Sequence, residues 1–203
     1  VQSLVKQLGN RATQGYRQRV KHLPSASGAY VVYLGVEQAA IPANCPPHLQ
    51  FLYDYNGLIG ENNSLFVSVS HPGDGRAPEG KATVIASSFT DVALWSQTSD
   101  YDRLKQDYTQ AAIAKLGQFF DLREENLVHI EAATPRTFVR YTAREQGMVG
   151  GIGQRVSTFG PFGFANRTPV DGLWLVGDGT HPGEGTAGVS YSAQTAVRQL
   201  VAQ

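Results

Sequence analysis

Gly172–Gln203 reads GLWLVGDGTHPGEGTAGVSYSAQTAVRQLVAQ, and the order of residue types in it decides the fold of this end of the chain. Leu173–Val176 is a short apolar run next to glycine, the pattern of a buried strand. Gly177-Asp178 follows at once. A glycine-rich loop then leads into Val189–Val201, where Val189, Ala193, Ala196, Val197 and Leu200 recur on one helical face. The expected unit is therefore strand, acid, loop and helix.

Within it, Gly183-Glu184-Gly185-Thr186-Ala187-Gly188 spells G-x-G-x-x-G, but the surroundings of a dinucleotide fold are missing. In that fingerprint the glycines come directly after a strand, and a second strand carries an acid about 20 residues later. Here six residues separate Val176 from Gly183, and no second strand follows the helix. The segment remains ligand-like in another way. An acid at a strand end, Asp178, can accept hydrogen bonds from a sugar-like hydroxyl. Small residues at a helix start, Gly185 and Gly188, let backbone N–H groups approach an electron-rich oxygen or a ring that turns negative on reduction. A tight connection that uses glycine for turn geometry alone is equally compatible with these residues.

Working outward, Thr134-Pro135 resembles an N-cap followed by proline at the first helical position, with a helix to about Gln146. Gly147–Gly153 and residues 154–171 read as loop. Further back, Asp100–Phe120 carries Leu104, Tyr108, Ala111, Ala112, Leu116, Phe119 and Phe120 at helical spacing. Ala29–Val36, Leu49–Tyr55, Ser64–Ser70, Lys81–Phe89 and Leu127–Ala132 read as strands. Ser64–Ser70 alternates Leu65, Val67 and Val69 against Ser64, Phe66, Ser68 and Ser70, the period of a strand with two unlike faces. Short turns between them predict a largely antiparallel sheet. Residues 1–22 have helical spacing broken at Gly9-Asn10. Gly75–Ala82 nearly spells a phosphate-binding loop, but Ala82 stands where Ser or Thr would hold magnesium. It also feeds a β-like run, so a hairpin turn is expected.

Composition narrows the function. Seventeen basic and seventeen acidic residues cancel without clustering, which argues against a nucleic-acid partner. The histidines (His22, His48, His71, His129, His181) are scattered and no metal site is expected. Cys45, the single cysteine, reads as an ordinary loop thiol. Asn62-Asn63-Ser64 and Asn166-Arg167-Thr168 match the glycosylation triplet, which is short enough to arise by chance. No apolar run reaches the roughly 18 residues of a bilayer span. The chain starts at Val1 and Met148 is its only methionine, so the expectation is the carboxyl-terminal portion of a longer protein.

Gly172–Gly183 with Gly188-Val189-Ser190, preceded by Thr134–Phe138 and the glycine-rich Gly147–Gly153, resembles the carboxyl-terminal signature of phytoene-desaturase-like flavoenzymes. That family includes carotenoid desaturases and carotene cis–trans isomerases within the amine-oxidase-like FAD fold. The pattern is most similar to the cyanobacterial carotenoid C-3′,4′ desaturase type. The resemblance implies an α+β chain. Residues 1–133 would be part of a substrate-binding domain with a largely antiparallel sheet, and residues 134–203 the carboxyl-terminal strand–loop–helix of an FAD-binding domain. It implies FAD as cofactor, with Gly177 and Asp178 at the ribityl chain, and Gly188, Val189 and Ser190 presenting backbone to the flavin ring. It further implies an apolar carotenoid substrate, desaturated by hydride transfer to flavin, and a cytoplasmic protein in peripheral contact with a membrane. No side chain is nominated as nucleophile; His181 is either an acid–base group or a shaper of the Thr180–Gly183 turn. The family's amino-terminal ADP-binding motif does not occur in these residues, so the chain is expected to bind FAD poorly by itself. The alternatives are a flavin-dependent isomerase and a non-catalytic apolar-ligand domain.

Overall fold

The computed structural model describes residues 1–153 and 155–202. In chain order the helices are α1 (Gln2–Leu8), α2 (Gln14–Lys21), α3 (Val92–Gln97), α4 (Tyr101–Leu116), α5 (Pro135–Thr142) and α6 (Thr186–Val201). The strands are β1 (Gly28–Glu37), β2 (His48–Leu52), β3 (Ser64–Val69), β4 (Lys81–Thr90) and β5 (Leu127–Ala133). The chain forms two compact units. One is the contiguous stretch Gly28–Arg140; the other joins Val1–Ser27 to the residues from Tyr141 onward.

The contiguous unit is α+β. Its sheet has the order β2-β3-β4-β1-β5 with every pairing antiparallel. The expected alternation is what orients β3: Leu65, Val67 and Val69 are fully buried while Phe66 is on the open face. β4 follows suit with Ala82, Val84 and Ala86, and β1 with Tyr30, Val32, Leu34 and Val36. Against this face pack Trp95 of α3 and Ala112 and Leu116 of α4, with Phe120 just beyond. Trp95 stacks on Tyr30 at 5.9 Å and meets Tyr108 edge-on at 4.9 Å, with its Nε1–H donated to Thr90 Oγ1. A buried indole thus keeps a polar partner.

Several boundaries differ from the sequence reading. The six residues of α3 fall in a stretch given no element; Asp91 caps them by accepting from the Ala93 N–H. α4 stops at Leu116, where the Gly117 N–H closes onto Ile113 O, leaving Phe119 and Phe120 in the next turn. The helix after Thr134 ends at Thr142 rather than near Gln146, because Ala143 takes φ +53° and Gln146 φ +54°, outside the helical region. Thr134 does not use its hydroxyl as a cap, for Oγ1 bonds the Tyr101 hydroxyl; Thr137 Oγ1 accepts from the Thr134 N–H instead. Gly75–Gly80 lies in the turn joining β3 to β4, and Lys81 and Ala82 open β4 itself, in keeping with the hairpin that the composition indicates. Cys45 lies in the core beside the sheet, and burial pushes its thiol up.

In the second unit Val5 of α1 and Val20 of α2 share a core with Ile152 and Phe164. Tyr16 meets Phe164 edge-on, and the Arg19 guanidinium lies over the same ring at 4.1 Å. That shared core is why residues 1–27 group with the carboxyl-terminal part, whereas a cut at 133/134 would separate them. The expected buried strand Leu173–Val176 is not one. Its ordered pairing is a single bridge, Trp174 to Arg167, and Val176 is 56% exposed. An apolar run becomes a buried strand only with ladder neighbours on both edges, and among the described residues it has one bridge partner.

Candidate functional site

The structure builds the Gly177-Asp178 corner around one serine. Ser192 lies on α6 with Gly188 and Ala196, the three residues of that helix that are buried. Its Oγ accepts from the Gly177 N–H at 3.1 Å and from Asn166 Nδ2 at 2.9 Å. The Thr180 hydroxyl donates to Gly177 O at 2.7 Å, so the proton between Ser192 and Thr180 is the serine's, given to Thr180 Oγ1 at 2.5 Å. The result is a closed ring from the Gly177 amide through two hydroxyls to the Gly177 carbonyl. Asn166 extends it by donating to Leu175 O while its own carbonyl accepts from the Leu175 N–H. Every polar group in this buried knot has a partner, which fixes the backbone that presents Asp178.

Asp178 itself faces a cleft of about 340 Å³, lined by Ser3, Arg144, Met148, Leu175 and Thr180 among others. Arg144 Nη2 donates to Asp178 Oδ2 at 2.6 Å, and the carboxylate keeps 25% of its side-chain surface open. The glycine-rich loop lies against the same corner. Gly151 has φ +76°, and a Cβ there would stand 2.4 Å from the carbonyl carbon and oxygen of Asp178. Only glycine allows that approach.

The start of α6 is the second element. Gly185, φ +89°, is its N-cap and offers no side-chain cap. The first helical bond runs from the Val189 N–H to Gly185 O at 3.0 Å, so the amides of Thr186, Ala187 and Gly188 precede it and Val189's is consumed by the helix. Gly188 is buried, and a Cβ on it would meet Gly183 O at 2.5 Å. Cβ atoms at Gly177 and Gly185 would meet nothing within 4 Å, so space opens at both the corner and the helix start. Ser190 is exposed. Of the five residues singled out by sequence, Asp178 alone lines the cleft, while Gly177 and Gly188 shape the backbone on either side of the Ser192 ring. His181 is held as a loop residue: its N–H donates to Phe164 O, Nδ1 lies 2.6 Å from Gly160 O, and its ring stands edge-on to Tyr191.

Sequence reasoning missed Asn166, Thr180, Ser192 and Arg144. Ser192 had a signal, since Gly188, Ser192 and Ala196 form a stripe of small residues at i, i+4 and i+8. Both triplet asparagines are buried with their Nδ2 groups donating, Asn62 to Tyr108 O and Asn166 as above, so neither can carry a glycan in the folded chain. Among the described residues no group of three or more His, Cys, Asp or Glu gathers as for a metal ion, and no helix is long and apolar enough to cross a membrane.

The fold is shared with the crystal structure of an oxidoreductase from Methanosarcina mazei. The TM-score is 0.55 at 16% identity, over 91% of this chain and 36% of that one. In sequence the chain is similar to carotenoid-modifying enzymes. It is 29% identical over 177 residues to the chloroplastic prolycopene isomerase of Daucus carota, covering 84% of this chain and 29% of that protein. The Arabidopsis thaliana prolycopene isomerase is 27% identical over the same length. A carotenoid 3,4-desaturase of Haloarcula japonica is 24% identical over 188 residues, 87% of this chain and 37% of that protein. No protein-family profile matches. The chain is thus carotenoid isomerase- and desaturase-like, and it spans about 30% of the length of the plant relatives.

Proposed function

We propose that this chain is the carboxyl-terminal, flavin- and substrate-contacting part of an FAD-dependent oxidoreductase that desaturates a carotenoid. The observation that carries the reading is the Ser192 ring, which fixes a partly open carboxylate, Asp178, beside a helix start whose first amides precede the first helical bond. That donor set suits the flavin half of FAD. Asp178 accepts from cofactor hydroxyls, and the amides of Thr186, Ala187 and Gly188 donate to the electron-rich edge of the ring. A bound flavin supplies a two-electron acceptor, a chemistry that protein side chains lack. The protein's share is orientation and a site for charge that develops on reduction.

The open face of the sheet suits an apolar substrate. Tyr33 and Ile85 are cross-strand partners on it, Phe66 stands exposed beside them, and Phe89 lies further along β4. Cis–trans isomerisation with the same cofactor is a second reading, favoured by the higher identity to the isomerases.

Expressing the gene that encodes the chain in a carotenoid-accumulating host, and analysing the extracted pigments, tests both. Added double bonds support desaturation, and altered geometry at constant hydrogen count supports isomerisation. Unchanged pigments from a flavin-loaded protein overturn the carotenoid assignment. Asp178→Ala is expected to weaken flavin retention by about 10- to 100-fold, the worth of a hydrogen bond to a charged group. Retention equal to the parent would remove Asp178 from the site.

A further inference from the structure

Arg144 stands on a turn that is held from both sides. Ala143 before it takes φ +53° and Gln146 takes φ +54°, left-handed conformations that residues other than glycine keep only where their surroundings impose them. α1 braces the turn: Ser3 Oγ donates to Ala143 O at 3.3 Å, and Lys6 Nζ donates to Glu145 Oε1 at 2.8 Å. The Gly147 N–H closes it onto Arg144 O at 3.1 Å. So fixed, Arg144 and Glu145 both line the cleft that holds Asp178.

The polar groups open in that cleft are complementary to one kind of molecule. Arg144 gives one N–H to Asp178 Oδ2 at 2.6 Å; among the described residues the rest of its guanidinium makes no hydrogen bond, and 38% of the side chain is exposed. Glu145 Oε2 is buried and, among the described residues, has no partner. A guanidinium fork matches the oxygens of a phosphate, and a carboxylate oxygen matches a hydroxyl. Because Arg144 and Asp178 touch, the groups they would hold must be neighbours too, a hydroxyl close to a phosphate on one carbon chain. A bare anion would be repelled by the two carboxylates of the cleft, and a neutral sugar would leave the fork idle.

We propose that the cleft binds the phosphate end of a sugar-alcohol phosphate, with Arg144 on the phosphate and Asp178 and Glu145 on the hydroxyls. In the flavin reading this ligand is the phosphorylated ribityl chain of FAD, so the proposal rests on that reading for the ligand's identity but not for its chemistry. The competing role for Arg144 is to hold Asp178 in place and nothing more. The two roles differ in what a phosphate adds to binding.

Binding of riboflavin, FMN and FAD to the purified chain is followed by flavin fluorescence, and binding of ribitol 5-phosphate, which lacks the ring, by calorimetry. The parent is expected to hold FMN about 10- to 100-fold tighter than riboflavin, the worth of charge-assisted bonds to a phosphate. Arg144→Gln is expected to erase that difference, bringing FMN and FAD to the level of riboflavin while riboflavin keeps its parent affinity. Arg144→Lys, which retains the charge without the fork, should recover part of it. A parent that binds riboflavin and FMN alike overturns the proposal and leaves the flavin reading standing. Equal loss of riboflavin and FMN in Arg144→Gln, with an unchanged melting curve, also overturns it, because Arg144 then acts only through Asp178. Ribitol 5-phosphate bound in an Arg144-dependent way by a chain that ignores all three flavins gives the reverse: the site stands and the flavin reading falls. A chain that binds none of these molecules overturns both.

Discussion

Ser192 has no accessible surface, and its hydroxyl serves Gly177, Asn166 and Thr180 at once. Ser192→Ala removes one oxygen, leaves the part-buried Gly177 N–H without its acceptor, and takes one bond each from Asn166 and Thr180, which keep others. It is expected to cost about 2–4 kcal/mol in urea denaturation, more than the loss of a single ordinary hydrogen bond. A cost below about 0.5 kcal/mol would mean the ring is not what fixes Gly177. Tyr30 is a second residue whose effect can be dated by pH. Burial raises its phenol to about 12 from 10.0, with a smaller opposing effect from the bond to Thr109. The fold holds the neutral phenol more tightly than the unfolded chain does, so its contribution is complete below pH 10. It is lost as pH rises from 10.0 toward about 12. Denaturation midpoints measured from pH 8 upward should fall across that window, and Tyr30→Phe should flatten the fall. At this scale the sequence was only partly readable. The apolar positions of the last helix drew attention to Val197 and Leu200, which are exposed, as well as to Ala196, which is buried; the rest of the buried stripe, Gly188 and Ser192, carries no hydrophobic signal.

Elements with a strong period were legible. β3 announces itself by alternation, and α4 by apolar residues every three or four positions, because each repeats its pattern long enough to rise above chance. α3 has six residues, too few for a period, and is held by Trp95 and its Asp91 cap. The run Leu173–Val176 misled for the opposite reason: hydrophobicity shows that a segment seeks burial, not that ladder partners are present. Two substitutions test the elements. Trp95→Ala should cost about 3–5 kcal/mol, since it empties the contact between α3, β1 and α4. Gly151→Ala should destabilise the second unit by about 1–3 kcal/mol, because the new Cβ meets the Asp178 backbone and the residue keeps φ +76°. A neutral outcome there would show that the glycine-rich loop does not press on the acid.

At the scale of the whole molecule, the two units differ in how the chain enters them. Gly28–Arg140 is one uninterrupted stretch with its own core of Tyr30, Leu65, Trp95 and Leu116. Expressed alone, it is expected to give a cooperative melt and a sheet-rich circular dichroism spectrum; a non-cooperative transition would show that it depends on the rest. The other unit closes Val5 and Val20 into one core with Ile152 and Phe164, so that core forms only after Phe164 is made. Buried Asn62 and Asn166 give that order of events a practical edge. A ribosome feeding this polypeptide into a secretory lumen exposes both triplets to the sugar-transferring enzyme before either amide has reached its interior partner. Each sugar added there marks a molecule that can no longer close, so the intact mass of secreted product should show unmodified asparagine in whatever fraction is folded.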